Sequence, residues 1–156
     1  MKIRLATPGD AEECWAVRNQ AIRYGCRSCY GDGIIDAWTP DVMPESFSHL
    51  VEREFFFVGL DEREKIVATA FLEIKTTTLK ALYVLPDLQG NGTGTAILHF
   101  VMDEARKTGV TSLLLSSTPN ARFFYEKRGF IFTGEKAYTS SITGTDLLCF
   151  DMQIEL

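Results

Sequence analysis

Two short stretches hold the residues whose types and spacing suit chemistry. The first is LQGNGTGTAI, Leu88 to Ile97, where Gly90, Gly92 and Gly94 open a pattern that otherwise reads as a helix. Glycine is costly to order inside a helix. The first helical turn, however, carries backbone N–H groups with no intrahelical partner, and the helix dipole adds partial positive charge there. Anions bind such turns. Glycine lets an anion approach the backbone closely and permits the positive φ angles of an anion-binding nest. The run Gln89-Gly90-Asn91-Gly92-Thr93-Gly94 therefore suits a diphosphate held mainly by the main chain, with the Thr93 and Thr95 hydroxyls as further donors. A glycine-rich turn without a ligand has the same composition. Two nucleotide motifs are excluded by order alone: no Lys follows Gly94, and the glycine spacing is not G-x-G-x-x-G. The second stretch is NARFFYEKRGF, Asn120 to Phe130, in which Phe124 and Tyr125 fall together near the end of a short helix. Taken alone, aromatics in that position read as core.

The cysteines offer a third candidate. CRSC, Cys26 to Cys29, has the spacing of a redox or zinc half-site. A zinc site needs two more ligands, and the chain offers only His49 and His99, the latter within a helical pattern. Reduced, partly buried thiols are the expectation, with no metal.

These stretches must be positioned by the elements around them. KIRLA alternates like a strand. Thr7, Pro8 and Asp10 mark a helix start, and the helix that follows carries Ala11, Cys14, Trp15, Ala21 and Ile22 near one face. A loop with short helical pieces near residues 34–38 and 44–51 comes next. EFFFVGLD, KIVATAFLEI and TLKALYVLP read as three consecutive strands, the first two forming a hairpin. TAILHFVMDEARKTG is an amphipathic helix stopped by Gly109, and VTSLLLSS is a short strand. After the short helix NARFFYEKR, FIFTGEKAY and TDLLCFDMQIEL close the chain as an antiparallel pair. A strand, glycine turn, helix and strand in succession imply a parallel pair inside a mixed sheet.

The chain has 156 residues and reads as a single domain over 1–156. Its formal net charge of −5 argues against a nucleic-acid partner. No apolar run approaches the roughly 18 residues of a membrane span, so no membrane partner is expected. MKIRLATPGD lacks a signal-peptide core, and the expected location is cytoplasmic.

The combination of the two stretches is more specific than either. The strand LYV, a Q-x-x-G-x-G opening a helix, a further strand, and then Asn-Ala-x-x-Phe-Tyr-Glu-Lys-x-Gly-Phe resemble the GCN5-related N-acetyltransferase (GNAT) superfamily. The likeness covers nearly the whole chain in element order and is sharpest over residues 82–96 and 120–130. It implies an α/β (α+β) fold, a mixed sheet splayed open between its fourth and fifth strands and flanked by helices on both faces. It also implies acetyl-CoA wedged in the opening. On that resemblance the pantetheine arm runs beside Leu82, Tyr83 and Val84, the pyrophosphate sits on the amides from Gln89 to Thr95, and Asn120 helps hold the arm.

The implied reaction is direct attack of a primary amine on the thioester, with acetyl-CoA as donor and a small amine or peptide as acceptor. The Val84 amide would stabilise the oxyanion, and Tyr125 matches the family tyrosine that protonates the leaving thiolate. Some members place a glutamate on the fourth strand. The corresponding position here falls near Thr78, which cannot act as a base, and Glu73 on the preceding strand is the candidate in its place. An exposed carboxylate in an ion pair fits Glu73 equally well, and a water relay needs no dedicated base. Tyr24, Tyr30 and Trp38, with Asp32, Asp36 and Glu45, mark the acceptor side, where aromatics and carboxylates suit a cationic amine. A solvated loop with an aromatic staple has the same residues. A non-catalytic acyl-CoA sensor or interaction module is the competing reading, and O-acyl transfer or a longer acyl donor stays open. The resemblance further implies a capacity to form a homodimer through the late strands.

Overall fold

The structure, a computed structural model, describes residues 1–156. In chain order the elements are β1 (Lys2–Leu5), α1 (Ala11–Gly25), α2 (Arg27–Tyr30), α3 (Asp32–Trp38), α4 (Glu45–Val51), β2 (Phe56–Leu60), β3 (Ile66–Glu73), β4 (Thr78–Val84), α5 (Thr93–Lys107), β5 (Ser112–Ser117), α6 (Arg122–Glu126), β6 (Ile131–Thr139) and β7 (Asp146–Glu155). The order is the one expected. The four-residue α2, over part of the CRSC segment, is an addition that no apolar period announces.

Seven strands form one sheet in the order β1-β2-β3-β4-β5-β7-β6. Every neighbouring pair is antiparallel except β4 and β5, which are parallel. The hairpin between β2 and β3 is closed by Asp61, whose carboxylate accepts hydrogen bonds from the amides of Arg63 and Lys65, each at 2.9 Å. Alternation along β2 and β3 sends Phe57, Ala68, Ala70 and Leu72 to one face, where α5 covers them with Ile97, Leu98, Val101 and Ala105. Phe56, Val58 and Phe71 go to the other face, under Ala11, Cys14 and Trp15 of α1 and Phe47 and Val51 of α4. A central sheet covered on both sides explains why every residue of β2 is buried.

The parallel pair barely pairs. β4 and β5 share register only at Thr78 and Leu114, next to a bond from the Leu114 amide to the Thr77 carbonyl at 2.9 Å. From there toward Val84 the strands part. A bulge in β4 accompanies the parting. The β3–β4 register slips between Thr69 and Phe71, whose partners are Tyr83 and Lys80. Ala81 takes up the extra residue at φ 53°, and the Thr69 hydroxyl donates to its carbonyl at 2.8 Å. A bulge of this kind bends and twists its strand. The left-handed conformation costs a non-glycine residue about 1 kcal/mol, so the fold maintains this bend against a local penalty.

Candidate active site

The parting of β4 and β5 leaves a cleft of about 430 Å³ that runs through the sheet. One wall is β4, contributing Leu82, Tyr83 and Val84; the facing wall is β5, contributing Leu115, Ser116 and Ser117. One end is closed by the glycine turn through Gln89, Gly90, Gly92, Gly94 and Thr95. The far side is bounded by Asn120, Phe124 and Tyr125 with Arg128, and by Ala21, Ile22, Gly25 and Cys26 from the end of α1.

The turn has the geometry its composition suggests. Gly90 and Gly92 lie at φ 86° and 82°, and Gly92 is the N-cap of α5 with no side-chain cap. The amides of Gly90, Gly92, Thr93, Gly94 and Thr95 donate to no backbone carbonyl; the first bond of the helix is Ala96 N–H to Gly92 O at 3.0 Å. A row of unpaired N–H groups thus gathers where the dipole is positive. A Cβ at Gly90 or Gly92 would meet nothing, so these two positions are required by backbone conformation. Gly94 differs. Its φ is ordinary, and a Cβ there would come within 3.1 Å of Phe124 Cε1, so it is a close-packing position between α5 and α6. Of the residues expected at the diphosphate, Asn91 and Thr93 belong to the turn but do not line the cleft. Gln89 is tied back to β4 by a bond from its Nε2 to the Val84 carbonyl at 3.2 Å.

Arg128 was not singled out from the sequence. Its Nε donates to the Thr95 hydroxyl at 2.8 Å, its Nη1 to the Phe124 carbonyl at 2.8 Å, and its guanidinium lies 3.8 Å from the Phe124 ring centre. It sets a fixed cation beside the open amides. The only available signal was its place between Tyr125 and the terminating Gly129.

Tyr125 is 7% exposed, packed edge-on between Phe124 and Phe130, and it lines the cleft. Burial, with Tyr83 nearby, raises its pKa well above the usual phenol range, so it stays protonated and able to donate. Asn120 lines the cleft, its amide nitrogen 3.0 Å from where a Cβ on Gly25 would lie, so the end of α1 approaches it closely.

Other expected residues lie elsewhere. Glu73 does not line the cleft. It faces a separate depression, bonded to the Thr76 hydroxyl at 2.7 Å and paired with Lys80 at 3.4 Å and Arg53 at 3.6 Å. The Thr76 bond, then Lys80 and Arg53, lower its pKa, the opposite of what a base requires. Glu73 alternates with Leu72 as expected, but it also lies away from the cleft. The three aromatics expected at the acceptor also fail to line the cleft. Tyr24 points to solvent at 69% exposure. Tyr30 donates to the Leu148 carbonyl at 2.6 Å and packs edge-on against Trp38. Trp38 is buried with Ile22, Ile35 and Leu147. The loop carboxylates are not free either: Asp32 and Asp36 pair with Arg27, and Glu45 lies 3.8 Å from His49. Packing holds Tyr30 and Trp38, and surface ion pairs engage Asp32 and Asp36, the residues whose composition suggested a cationic acceptor.

The four cysteines are free thiols. Burial pushes the Cys14 pKa up to about 12 and the Cys26 pKa up to about 11, leaving both as unreactive thiols. No three His, Cys, Asp or Glu side chains come together as a metal-binding group. No helix is long and apolar enough to cross a membrane.

Residues 20–155 match the family model of the acetyltransferase (GNAT) domain. No curated protein matches the sequence. Among solved structures, a GCN5-related N-acetyltransferase (Aminotransferase, Class-II) from Rhodopseudomonas palustris superposes with a TM-score of 0.89 at 22% identity, over 99% of this chain and 95% of that one. The ribosomal-protein-S18-alanine N-acetyltransferase of Escherichia coli gives 0.73 at 22% identity, covering 99% and 92%. The PaiA N-acetyltransferase of Thermoplasma acidophilum, solved in complex with coenzyme A, gives 0.71 at 16% identity, covering 99% and 98%. These likenesses concern the fold, whereas the domain match extends over most of the sequence, and on it the chain belongs to the GNAT family of acetyltransferases.

Proposed function

We propose that this protein transfers an acetyl group from acetyl-CoA to a primary amine of a small molecule or peptide by direct attack on the thioester. The observation that carries this reading is the cleft itself, with unpaired amides at the mouth of α5 at one end and a buried, protonated Tyr125 beside β4. The amides of the glycine turn, with Arg128 alongside, hold the pyrophosphate. The pantetheine arm lies along Leu82 to Val84 and takes backbone hydrogen bonds as an added strand would. Asn120 steadies the arm at the mouth. The Val84 amide stabilises the oxyanion as the amine adds to the carbonyl carbon. The C–S bond then breaks, and the Tyr125 hydroxyl donates its proton to the departing thiolate.

The cleft wall holds no carboxylate and no imidazole; its charged side chains are Lys80 and Arg128. The acceptor therefore reacts as the neutral amine and loses its second proton to water rather than to a fixed base.

The test is release of free thiol from acetyl-CoA over a panel of amines. Turnover is expected with at least one acceptor, and Tyr125→Phe should lower kcat by roughly a hundredfold to ten-thousandfold, the range of a lost general acid. Coenzyme A affinity, followed by calorimetry, should stay near that of the unmodified protein. An unchanged kcat in Tyr125→Phe removes the acid role from that residue. Coenzyme A bound without turnover of any amine overturns the transferase mechanism.

A further inference from the structure

Arg18 on α1 is the one buried charged side chain of the molecule, 6% exposed. Guanidinium does not give up its proton at ordinary pH, so the charge persists. Neighbouring arginines have acids: Arg4 has Asp10, Arg23 has Asp41, Arg27 has Asp32 and Asp36. Arg18 has none. Its two hydrogen bonds both leave from Nη1, to Asn19 Oδ1 at 2.7 Å and to the Trp38 carbonyl at 3.0 Å. The indole rings of Trp15 and Trp38 flank the guanidinium at 4.3 and 5.6 Å. No fully buried side-chain nitrogen in the molecule lacks a partner, so the Nε and Nη2 edge, which makes neither of these bonds, is not sealed off, and the Tyr83 side chain lies within hydrogen-bonding reach. That edge is the bidentate fork that fits a carboxylate.

Its location connects it to the cleft. Ala21, Ile22 and Gly25, at positions three, four and seven after Arg18, line the cleft from the same helix face. Arg18 does not itself line the cleft; Tyr83 of β4 does, and it stands close enough to Arg18 for the two groups to shift each other's proton affinity. Burial lowers the proton affinity of Arg18 itself, as expected of a cation held without a counter-ion. The coenzyme's phosphates do not meet this need, because α5 and its open amides cover the opposite face of the sheet from α1.

We infer that the acceptor carries a carboxylate as well as its amine, and that Arg18 binds that carboxylate while the amine faces the thioester beyond Tyr83. The inference rests on the acetyl-transfer reading above and specifies its acceptor class as amino-acid-like. It replaces the cationic acceptor suggested by the loop composition.

The experiment reads binding, so it does not depend on turnover. Trp15 and Trp38 are the only tryptophans in the chain, and both touch Arg18. The protein saturated with coenzyme A is titrated with N-acetyl derivatives of the common amino acids and with the same compounds as carboxamides, following tryptophan emission. At least one carboxylate should change the emission saturably, and its carboxamide should bind about tenfold to a hundredfold more weakly, the contribution of a charge-assisted hydrogen bond. Arg18→Gln should erase that discrimination and Arg18→Lys should keep part of it, with coenzyme A affinity unchanged in both. Equal binding of carboxylates and carboxamides to the unmodified protein, or no emission change with any carboxylate, overturns the inference. Neither result touches thiol release, which decides the acetyl-transfer reading separately.

Discussion

The two long helices of this protein, α1 and α5, are each 15 residues and cover opposite faces of the same sheet, yet their N-termini are built in opposite ways. Before α1, the Asp10 carboxylate accepts from the Thr7 amide at 2.7 Å and the Thr7 hydroxyl at 3.1 Å, and Arg4 donates to it at 2.7 and 3.2 Å. Pro8 opens the turn where no donor is needed. These side chains lock the turn that leads into the helix, although none of them accepts from the first-turn amides of α1 itself. Before α5, Gly92 offers no side chain, and the amides that follow bond to no backbone acceptor. A capping residue there would satisfy those donors internally and compete with any anion for them. The difference teaches that the turn entering a helix can serve the fold or a ligand: side chains that bond one another lock it before α1, and glycines with positive φ aim its amides outward before α5.

The largest test of that contrast is Gly92→Val. The φ of 82° is strained for any β-branched residue. Relief of that strain would re-aim the amides from Thr93 to Thr95. Coenzyme A affinity by calorimetry should fall on the order of tenfold to a hundredfold, as when several charge-assisted backbone hydrogen bonds are weakened together. Thermal stability should fall only by the local strain, about 1–2 kcal/mol. Full coenzyme A affinity in Gly92→Val would mean that the open amides are not the phosphate site, and the contrast would lose its functional half.

The same contrast explains what could be read from the sequence. Both helix starts were legible, because a cap and a glycine nest are made by residues adjacent in the chain. The order of strands followed from alternation, and the parallel β4–β5 pair from the helix between them. What failed depended on partners far apart in sequence. Trp38 reads as a loop aromatic until the backbone brings it over Arg18, 20 residues away, whose Nη1 bonds its carbonyl. Arg18 itself falls within an amphipathic helix, where a charged residue is expected on the wet face. Glu73 lies on the face that alternation predicts, but its partner Arg53 comes from the segment before β2. Short α2 lacks the length over which a helical period becomes visible.

A smaller effect is expected at the closed end. Asp10→Ala removes the acceptor for Thr7 and the partner of Arg4. It should destabilise the protein by about 1–2 kcal/mol, lowering Tm by roughly 2–8 °C for a chain of this size. Coenzyme A affinity should not move. A loss of affinity in Asp10→Ala would show that the two ends of the sheet are coupled, and would break the comparison from the other side.

The smallest effect separates the two ends by their chemistry. The Arg4 hydrogen bonds, followed by those from Thr7, hold the Asp10 carboxyl below the usual aspartate value. A group whose folded-state pKa is lowered contributes stability that is fully present above its unfolded pKa, near 4. That contribution declines as pH falls through the lowered value, where the folded state must also take up the proton. The stability gap between the unmodified protein and Asp10→Ala should therefore be constant from about pH 7 to 5 and shrink progressively below about pH 4, by around 1 kcal/mol or less given the half-exposed arginine. Backbone amides do not titrate in this range, so the gap for Gly92→Val should stay flat over the same interval. Denaturant unfolding of the three proteins at a series of pH values measures both gaps, and the destabilisation of other carboxylates cancels in each difference. Two gaps that shrink in parallel would mean that the start of α5 also depends on a titrating side chain, contrary to the bare amides at its mouth.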